Sequence, residues 1–391
     1  MSVKLLININ SLRPPLTGIG FYTLNILKYL LASEQVDNIK GFDIKGSYSQ
    51  AELLKIMTLL DAPLENKANN ASFKGNLRNQ LKKLPFAIEA YGLINQYRMH
   101  HIVNHSDYVY WEPNYYSFPS RGQSIVTIHD LSHKRYPQYH PPERVKMLNK
   151  VLEKSLQTAN QICVVSEFTR SELQHYYDVA EHKISIIYPG VSAQFKPQSE
   201  RIKQQICQKY QLNKPYALMI ATIEPRKNII GLINAFEQLP ESIKQSHDLL
   251  LVGTKGWKSD ETYLRIASAK QQGWLKQLGY VEQQDLPQLL SAATLMVYPS
   301  FYEGFGMPII EAMASAVPVI TSTTASMPEV SGGASYLINP FDEQSITKAL
   351  LDCLSNVQLR QTLIEKGLAR AKCFTWQNSA EKLIKLATIK E

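Results

Sequence analysis

The chain reads as an α/β protein of two domains, each built on a parallel sheet. Three observations predict this. Its 391 residues exceed what one hydrophobic core organises, so two domains of roughly 150–200 residues are expected. Short apolar, β-branched runs recur along the whole chain, at residues 5–9, 124–128, 161–165, 184–188, 217–221, 249–252, 295–298 and 318–321. Most are followed by an amphipathic stretch of helix length, and strands alternating with helices make parallel βαβ units. Strands covered on both faces need near-continuous apolar runs, as these have.

Taken in order, the run Leu5-Leu6-Ile7-Asn8-Ile9 comes directly after Met1-Ser2-Val3-Lys4 and is too short for a signal peptide, so it is expected to be the first strand. No later stretch is long and apolar enough to span a bilayer, and a cytoplasmic protein, or one resting on the inner face of the membrane, is expected. The pattern restarts near residue 215. Before it, Tyr188-Pro189-Gly190 and Phe195-Lys196-Pro197 supply turn chemistry suited to an interdomain link. The expected division is residues 1–194, residues 195–373, and a terminal helix in residues 374–391 that packs back on the first domain.

Hydrophobic residues make up 44% and charged residues 19%, a globular composition and not a disordered one. The four cysteines, Cys163, Cys207, Cys353 and Cys373, lie far apart without a CxxC pair, which argues against a zinc site and a disulfide framework. A net charge of +8 suits an anionic partner: nucleic acid, a phosphorylated small molecule or an acidic membrane. Residues 66–100 carry Lys67, Lys74, Arg78, Lys82, Lys83 and Arg98 against Glu89, interleaved with apolar residues. Such a stretch either docks on anionic lipid or is a solvated face packed on its own domain.

Four segments carry candidate chemistry. In Tyr298-Pro299-Ser300-Phe301-Tyr302-Glu303-Gly304-Phe305-Gly306-Met307-Pro308-Ile309-Ile310-Glu311, a strand ends, a glycine-rich loop follows, and Pro308 marks a helix start. The loop therefore lies at the carboxyl end of a parallel strand, where open α/β sheets bind ligands. Gly304, Phe305 and Gly306 bring backbone close to a ligand, and the helix N-terminus favours a phosphate. Glu303 and Glu311 offer paired acceptor oxygens for sugar hydroxyls, although Glu311 also reads as a dipole partner of its own helix. At the head of the second domain, a strand leads into Glu224-Pro225-Arg226-Lys227-Asn228. Arg226 and Lys227 there either neutralise a diphosphate or form a solvated pair. His129, after the strand 124–128, is a hydrogen-bonding group for a sugar or acceptor, or a structural histidine, with Asp130 buttressing it or capping the next segment. In Thr17-Gly18-Ile19-Gly20-Phe21-Tyr22, Gly18 and Gly20 open a helix as a dinucleotide fingerprint does, but Thr23 stands where its third glycine belongs, which argues against NAD. A diphosphate, an acceptor or a simple tight turn remain for this loop.

At these residues the sequence resembles the retaining family 4 glycosyltransferases, whose fold is GT-B, two Rossmann-like domains facing across a cleft. The likeness runs nearly end to end and is strongest to the mannosyltransferase-like branch of bacterial polysaccharide and O-antigen assembly. It is carried by Trp111-Glu112-Pro113-Asn114-Tyr115, Thr127-Ile128-His129-Asp130-Leu131-Ser132, Val165-Ser166-Glu167-Phe168-Thr169, Tyr188-Pro189-Gly190-Val191, Leu278-Gly279-Tyr280-Val281, Met327-Pro328-Glu329-Val330 and the segments around Lys227 and Glu303. The resemblance implies that Glu303 contacts the donor sugar, Glu311 holds ribose hydroxyls, and Lys227 binds the diphosphate. It also implies that His129 lies near the reaction centre, that Gly18 and Gly20 form the N-terminal glycine loop, and that Tyr280 and Val281 lie where the base rests. Many relatives carry an arginine five residues before the lysine; here that position is Thr222, and Arg226 is expected to supply the charge.

The activity implied is transfer of a hexose with retention, mannose from GDP-mannose first, to a hydroxyl of a lipid-linked or polysaccharide acceptor. UDP- and dTDP-sugars are alternative donors, and a sugar-nucleotide-binding relative without turnover is the alternative class. No Asp-x-Asp occurs in the chain, so no metal and no other cofactor is expected. No nucleic-acid motif is present, so a nucleic-acid partner is not expected. Trp111, Tyr115 and Tyr116 are candidates for stacking on the acceptor.

Overall fold

The computed structural model describes residues 2–14, 16–61, 97–104 and 107–389; the basic stretch at 66–100 lies outside them except for its last four positions. The first domain holds a seven-stranded sheet of order β3-β2-β1-β4-β5-β6-β7. Its strands are β1 (Val3–Asn8), β2 (Val36–Asp43), β3 (Gly46–Tyr48), β4 (Val109–Glu112), β5 (Ser124–Ile128), β6 (Gln161–Val164) and β7 (Ile184–Ile186). The second holds a six-stranded sheet of order β10-β9-β8-β11-β12-β13: β8 (Tyr216–Ile220), β9 (Asp248–Val252), β10 (Leu275–Leu278), β11 (Leu295–Tyr298), β12 (Val319–Ser322) and β13 (Tyr336–Ile338). All neighbours pair in parallel except β2 with the short edge strand β3.

Both sheets are covered on both faces, as the alternation of side chains along a strand shows. Along β8, Ala217 and Met219 join one apolar cluster while Tyr216 and Leu218 join the opposite one. Along β5, Val126 and Ile128 face one way and Ile125 the other. Strands β5, β9 and β11 are buried at every residue, which explains their near-continuous apolar sequences. Five strands that the apolar runs did not mark are also present. β2 carries Asp37, Asn38 and Lys40, and β10 carries Lys276 and Gln277, because both lie toward sheet edges where one side is wet. β3, β4 and β13 are three or four residues long and hold too few apolar positions to register as runs.

Each sheet reverses its order once, between β1 and β4 and between β8 and β11. Ligand crevices of open α/β sheets form at such reversals, outside the carboxyl ends of the strands. The loops after β1, β8 and β11, which carry Gly18, Lys227 and Glu303, emerge there, and the loop after β5, which carries His129, emerges one strand away.

The last helix, Trp376–Ala387, returns to the first domain. Its Trp376 ring meets Tyr22 edge-on at 5.8 Å, Gln123 Nε2 donates to the Leu386 carbonyl at 2.9 Å, and Ser379 Oγ donates to the Tyr188 carbonyl at 2.6 Å. Among the described residues no helix is long and apolar enough to cross a membrane.

Candidate active site

The loop after β11 is shaped by its glycines. Gly306 is the N-cap of the helix Met307–Ala314 at φ +94°, a backbone conformation that L side chains rarely adopt, and Pro308 follows in the first turn. Gly304 is constrained by the other domain: a Cβ there would stand 1.8 Å from the His129 carbonyl oxygen. The Gly304 carbonyl in turn accepts from Ser166 Oγ at 2.6 Å and Thr169 Oγ1 at 3.1 Å. From below, Ser326 Oγ bonds the carbonyls of Glu303 and Phe305, each at 2.9 Å. The loop is thus clamped between the two domains.

The loop after β8 brings two cations to the same place. Lys227 Nζ donates to Glu303 Oε1 at 2.6 Å and to Tyr298 OH at 2.9 Å. Arg226 Nη1 donates to Glu303 Oε2 at 3.0 Å and to the Tyr302 carbonyl at 2.7 Å, while Nη2 donates to Glu224 Oε1 at 2.7 Å. All three charged side chains are nearly closed to water. Burial works against charge on Glu303, but the Arg226 and Lys227 cations outweigh it and hold the carboxyl down at about 2. Burial, followed by the adjacent guanidinium, pushes the Lys227 ammonium below its ordinary value. Glu303 is therefore an ionised group whose oxygens are shared between two cations.

On the facing domain, His129 Nε2 lies 2.8 Å from the Pro113 carbonyl. A carbonyl only accepts, so Nε2 carries the proton and Nδ1 is left as the ring's acceptor. Burial holds this imidazole below its ordinary pKa, in the neutral form that the assignment needs. His129 can thus receive a hydrogen bond from a hydroxyl at Nδ1. Asp130 accepts from the Ser132 amide at 3.0 Å and its hydroxyl at 2.8 Å, just before the short helix Ser132–Arg135. Burial opposes its charge, but Arg226 and the Ser132 donors keep it ionised.

These groups surround a cavity of about 280 Å³ between the domains. Gly18, His129, Arg226, Lys227, Glu303, Gly304, Phe305 and Gly306 line it, with Tyr115, His140, Arg144 and Trp257. Gly20, Tyr280, Val281 and Glu311 do not. Gly20 is buried in the helix Gly18–Leu31, where a Cβ would stand 2.7 Å from the Ser11 carbonyl. Tyr280 is exposed beside the buried Val281. Glu311, in the helix Met307–Ala314, has no hydrogen-bond or ion-pair partner among the described residues, and burial pushes its carboxyl up to about 7.

Of the stacking candidates, Trp111 is corrected: it is fully buried in β4, its indole N–H donates to Thr127 Oγ1 at 3.0 Å, and it belongs to the core. Tyr115 borders the cavity, where its OH accepts from the Asp130 amide at 3.1 Å; Tyr116 instead packs edge-on against Phe118. Several residues that sequence reasoning passed over hold the site together. Tyr302 OH accepts from the Leu131 amide at 2.9 Å and donates to Glu172 at 2.7 Å, across the domain boundary. Glu329 of the second domain accepts from the amides of Glu167 at 2.7 Å and Phe168 at 3.0 Å, at the start of the helix Glu167–Tyr176. Ser166 and Glu329 stand inside the recognised segments, but their partners lie some 140–160 positions away and cannot be read from either segment alone.

Comparison with known proteins agrees with this architecture. The model of the family described as Glycosyl transferases group 1 matches residues 202–370, and that of Glycosyltransferase Family 4 matches residues 62–195. O-antigen chain mannosyltransferase B of Escherichia coli is 36% identical over 385 residues, covering 98% of each chain. The serotype-specific mannosyltransferase WbdA of Escherichia coli is 31% identical over 271 residues, 67% of this chain but 33% of that protein. Among solved structures, WaaG, a glycosyltransferase involved in lipopolysaccharide biosynthesis, superposes with a TM-score of 0.67 at 15% identity over 99% of this chain and 100% of its own. Anabaena Alr3699/HepE in complex with UDP-glucose gives 0.70 at 17% identity over 98% of both. The chain belongs to the family 4 glycosyltransferases of GT-B fold, in the branch that includes the O-antigen chain mannosyltransferases.

Proposed function

We propose that the chain transfers mannose from GDP-mannose, with retention of anomeric configuration, to a hydroxyl of a lipid-linked or polysaccharide acceptor. The carrying observation is the Lys227–Glu303–Arg226 cluster beside the start of the helix Met307–Ala314, in a cavity closed by both domains. The relatives named as O-antigen mannosyltransferases support mannose and surface-glycan assembly.

In this reading the donor exchanges partners with the ion pair. Its diphosphate takes Lys227 and the helix N-terminus, and the sugar hydroxyls donate to the Glu303 oxygens thus released. Glu311, left without a partner among the described residues, accepts the ribose hydroxyls. As the C1–O bond to the diphosphate breaks, the acceptor hydroxyl attacks C1 from the same face and its proton passes to the departing phosphate oxygen. No protein base is required; the protein supplies position and charge stabilisation. His129 Nδ1 accepts from a hydroxyl near the reacting carbon.

We propose further that no metal takes part, since Lys227, Arg226 and the helix N-terminus already provide the positive field that a divalent ion would supply. Activity is expected to survive EDTA; loss that manganese restores contradicts the proposal. The donor is tested by thermal shift with GDP, UDP and dTDP and their sugars, because a ligand of the folded site must raise the melting temperature. A shift with UDP or dTDP and none with GDP moves the reading to those donors.

A further inference from the structure

Beside the cationic loop, where the Gly256 amide donates to the Ile223 carbonyl at 3.0 Å, the cavity wall is built by contact between the two domains. From the first domain come His140 and Arg144, at the start of the helix Pro142–Thr158. From the second comes Trp257, in the loop after β9. Trp257 Nε1 donates to the Tyr139 carbonyl at 2.7 Å, and Lys258 Nζ to the Gln138 carbonyl at 2.7 Å, so the backbone before His140 is tied to the other domain. The Trp257 ring lies 5.7 Å from the His140 ring at 30°, and the Arg144 guanidinium sits 5.0 Å over the indole.

Within this wall His140 is 3% exposed, and among the described residues neither ring nitrogen has a hydrogen-bond partner. Buried polar groups are nearly always satisfied, so an unpaired imidazole in the wall of a cavity is one that a ligand group can satisfy. We infer that His140 is an acceptor-specificity residue, hydrogen-bonding one hydroxyl of the incoming glycan while Trp257 holds its ring in place. This rests on the glycosyl-transfer reading proposed above and adds a residue to it.

The chemistry fits a neutral hydroxyl. Burial, assisted by Arg226, Arg144 and Lys258 against the pull of Asp130, keeps the ring uncharged, down at about 4. A neutral imidazole offers one N–H and one lone pair, and a sugar hydroxyl can answer either. The position fits the acceptor, because His140 and Arg144 come from the first domain while Lys227, Glu303 and the helix start at Met307 come from the second, and Arg144 leaves this side exposed to solvent.

The test uses the full chain with GDP-mannose as donor and an α-linked mannotriose as acceptor probe. His140→Phe is expected to raise the mannotriose KM about 3- to 10-fold, as loss of one hydrogen bond does, while the donor KM and the melting-temperature rise with GDP move far less. His140→Gln, which can still donate and accept, falls between. A residue that only packs would lower stability and kcat without moving the acceptor KM, and that result overturns the inference, as does a parallel loss of donor affinity. A wild type that neither binds nor turns over GDP-mannose fails the donor reading instead. The subsite is then decided by NMR saturation transfer to mannotriose without donor: a signal in the wild type that His140→Phe abolishes upholds it, and no signal, or equal signals, overturns it.

Discussion

Glu303 is held by Arg226 and Lys227 at hydrogen-bond distance, and both cations are buried with it. Removing one partner of such a cluster strands the others in a low dielectric. Glu303→Ala should therefore lower stability by about 3–5 kcal/mol, read as a fall in the denaturation midpoint. Lys227→Ala leaves Glu303 paired with Arg226 and so should act mainly on turnover, lowering kcat on the order of 10²–10³-fold, since the ammonium is a charge-stabilising group for the departing diphosphate. Comparable loss of stability and no loss of kcat in Lys227→Ala would place the diphosphate elsewhere. Glu311 gives a pH signature. Burial raises its carboxyl from an ordinary 4.5 to about 7, so the folded chain binds a proton there that the unfolded chain does not. The stability this contributes is full below 4.5 and is lost as pH rises toward 7. Ribose hydroxyls donating to the carboxylate favour the ionised form. GDP should therefore bind about ten-fold more tightly at pH 8 than at pH 6 and release protons on binding. Calorimetry in two buffers of different ionisation enthalpy measures that release, and Glu311→Gln should abolish it.

The loop between β11 and the helix Met307–Ala314 shows what a sequence reveals about an element and what it withholds. Glycine at 306 was legible as a helix-start device, and its φ of +94° gives the reason. Glycine at 304 reads the same way in sequence, yet its constraint is a contact with the His129 carbonyl in the other domain. Gly304→Ala should hold the domains apart by the width of a methyl group and lower kcat about 10²-fold, as small misplacements in an active site do. The second domain should still unfold normally, which circular dichroism melting checks; unchanged turnover would mean that the closed contact is not needed for catalysis. The strands divide similarly. Those buried on both faces announced themselves by composition, whereas β2, β4, β10 and β13 are short or half wet, and their place in the sheet comes from pairing with distant neighbours.

At the scale of the whole molecule, the two domains are joined by polar contacts that close the cavity. Glu329 caps a helix of the first domain with both carboxylate oxygens, Ser166 and Thr169 grip Gly304, and Tyr302 spans to Glu172. Weakening one of them should favour an open arrangement. Loss of a helix cap costs about 1 kcal/mol, so Glu329→Ala should shift the closed–open balance about five-fold. Small-angle scattering would show a larger radius of gyration without ligand and a return toward the wild-type value with donor; equal radii in both proteins would show that this cap does not govern closure. By itself the sequence determined the fold class, the cationic turn, the glycine loop and the identity of Lys227, Glu303 and His129 as groups at strand ends. Each of these is a local consequence of apolar period, turn chemistry and position after a strand. Only the tertiary structure decided that Trp111 is core, that Glu303 is shared by both cations, and that, among the described residues, His129 keeps Nδ1 free and His140 stands unpaired in the cavity wall. Those facts depend on side chains separated by long stretches of chain, and nothing in local pattern fixes which distant groups folding will bring within hydrogen-bond reach.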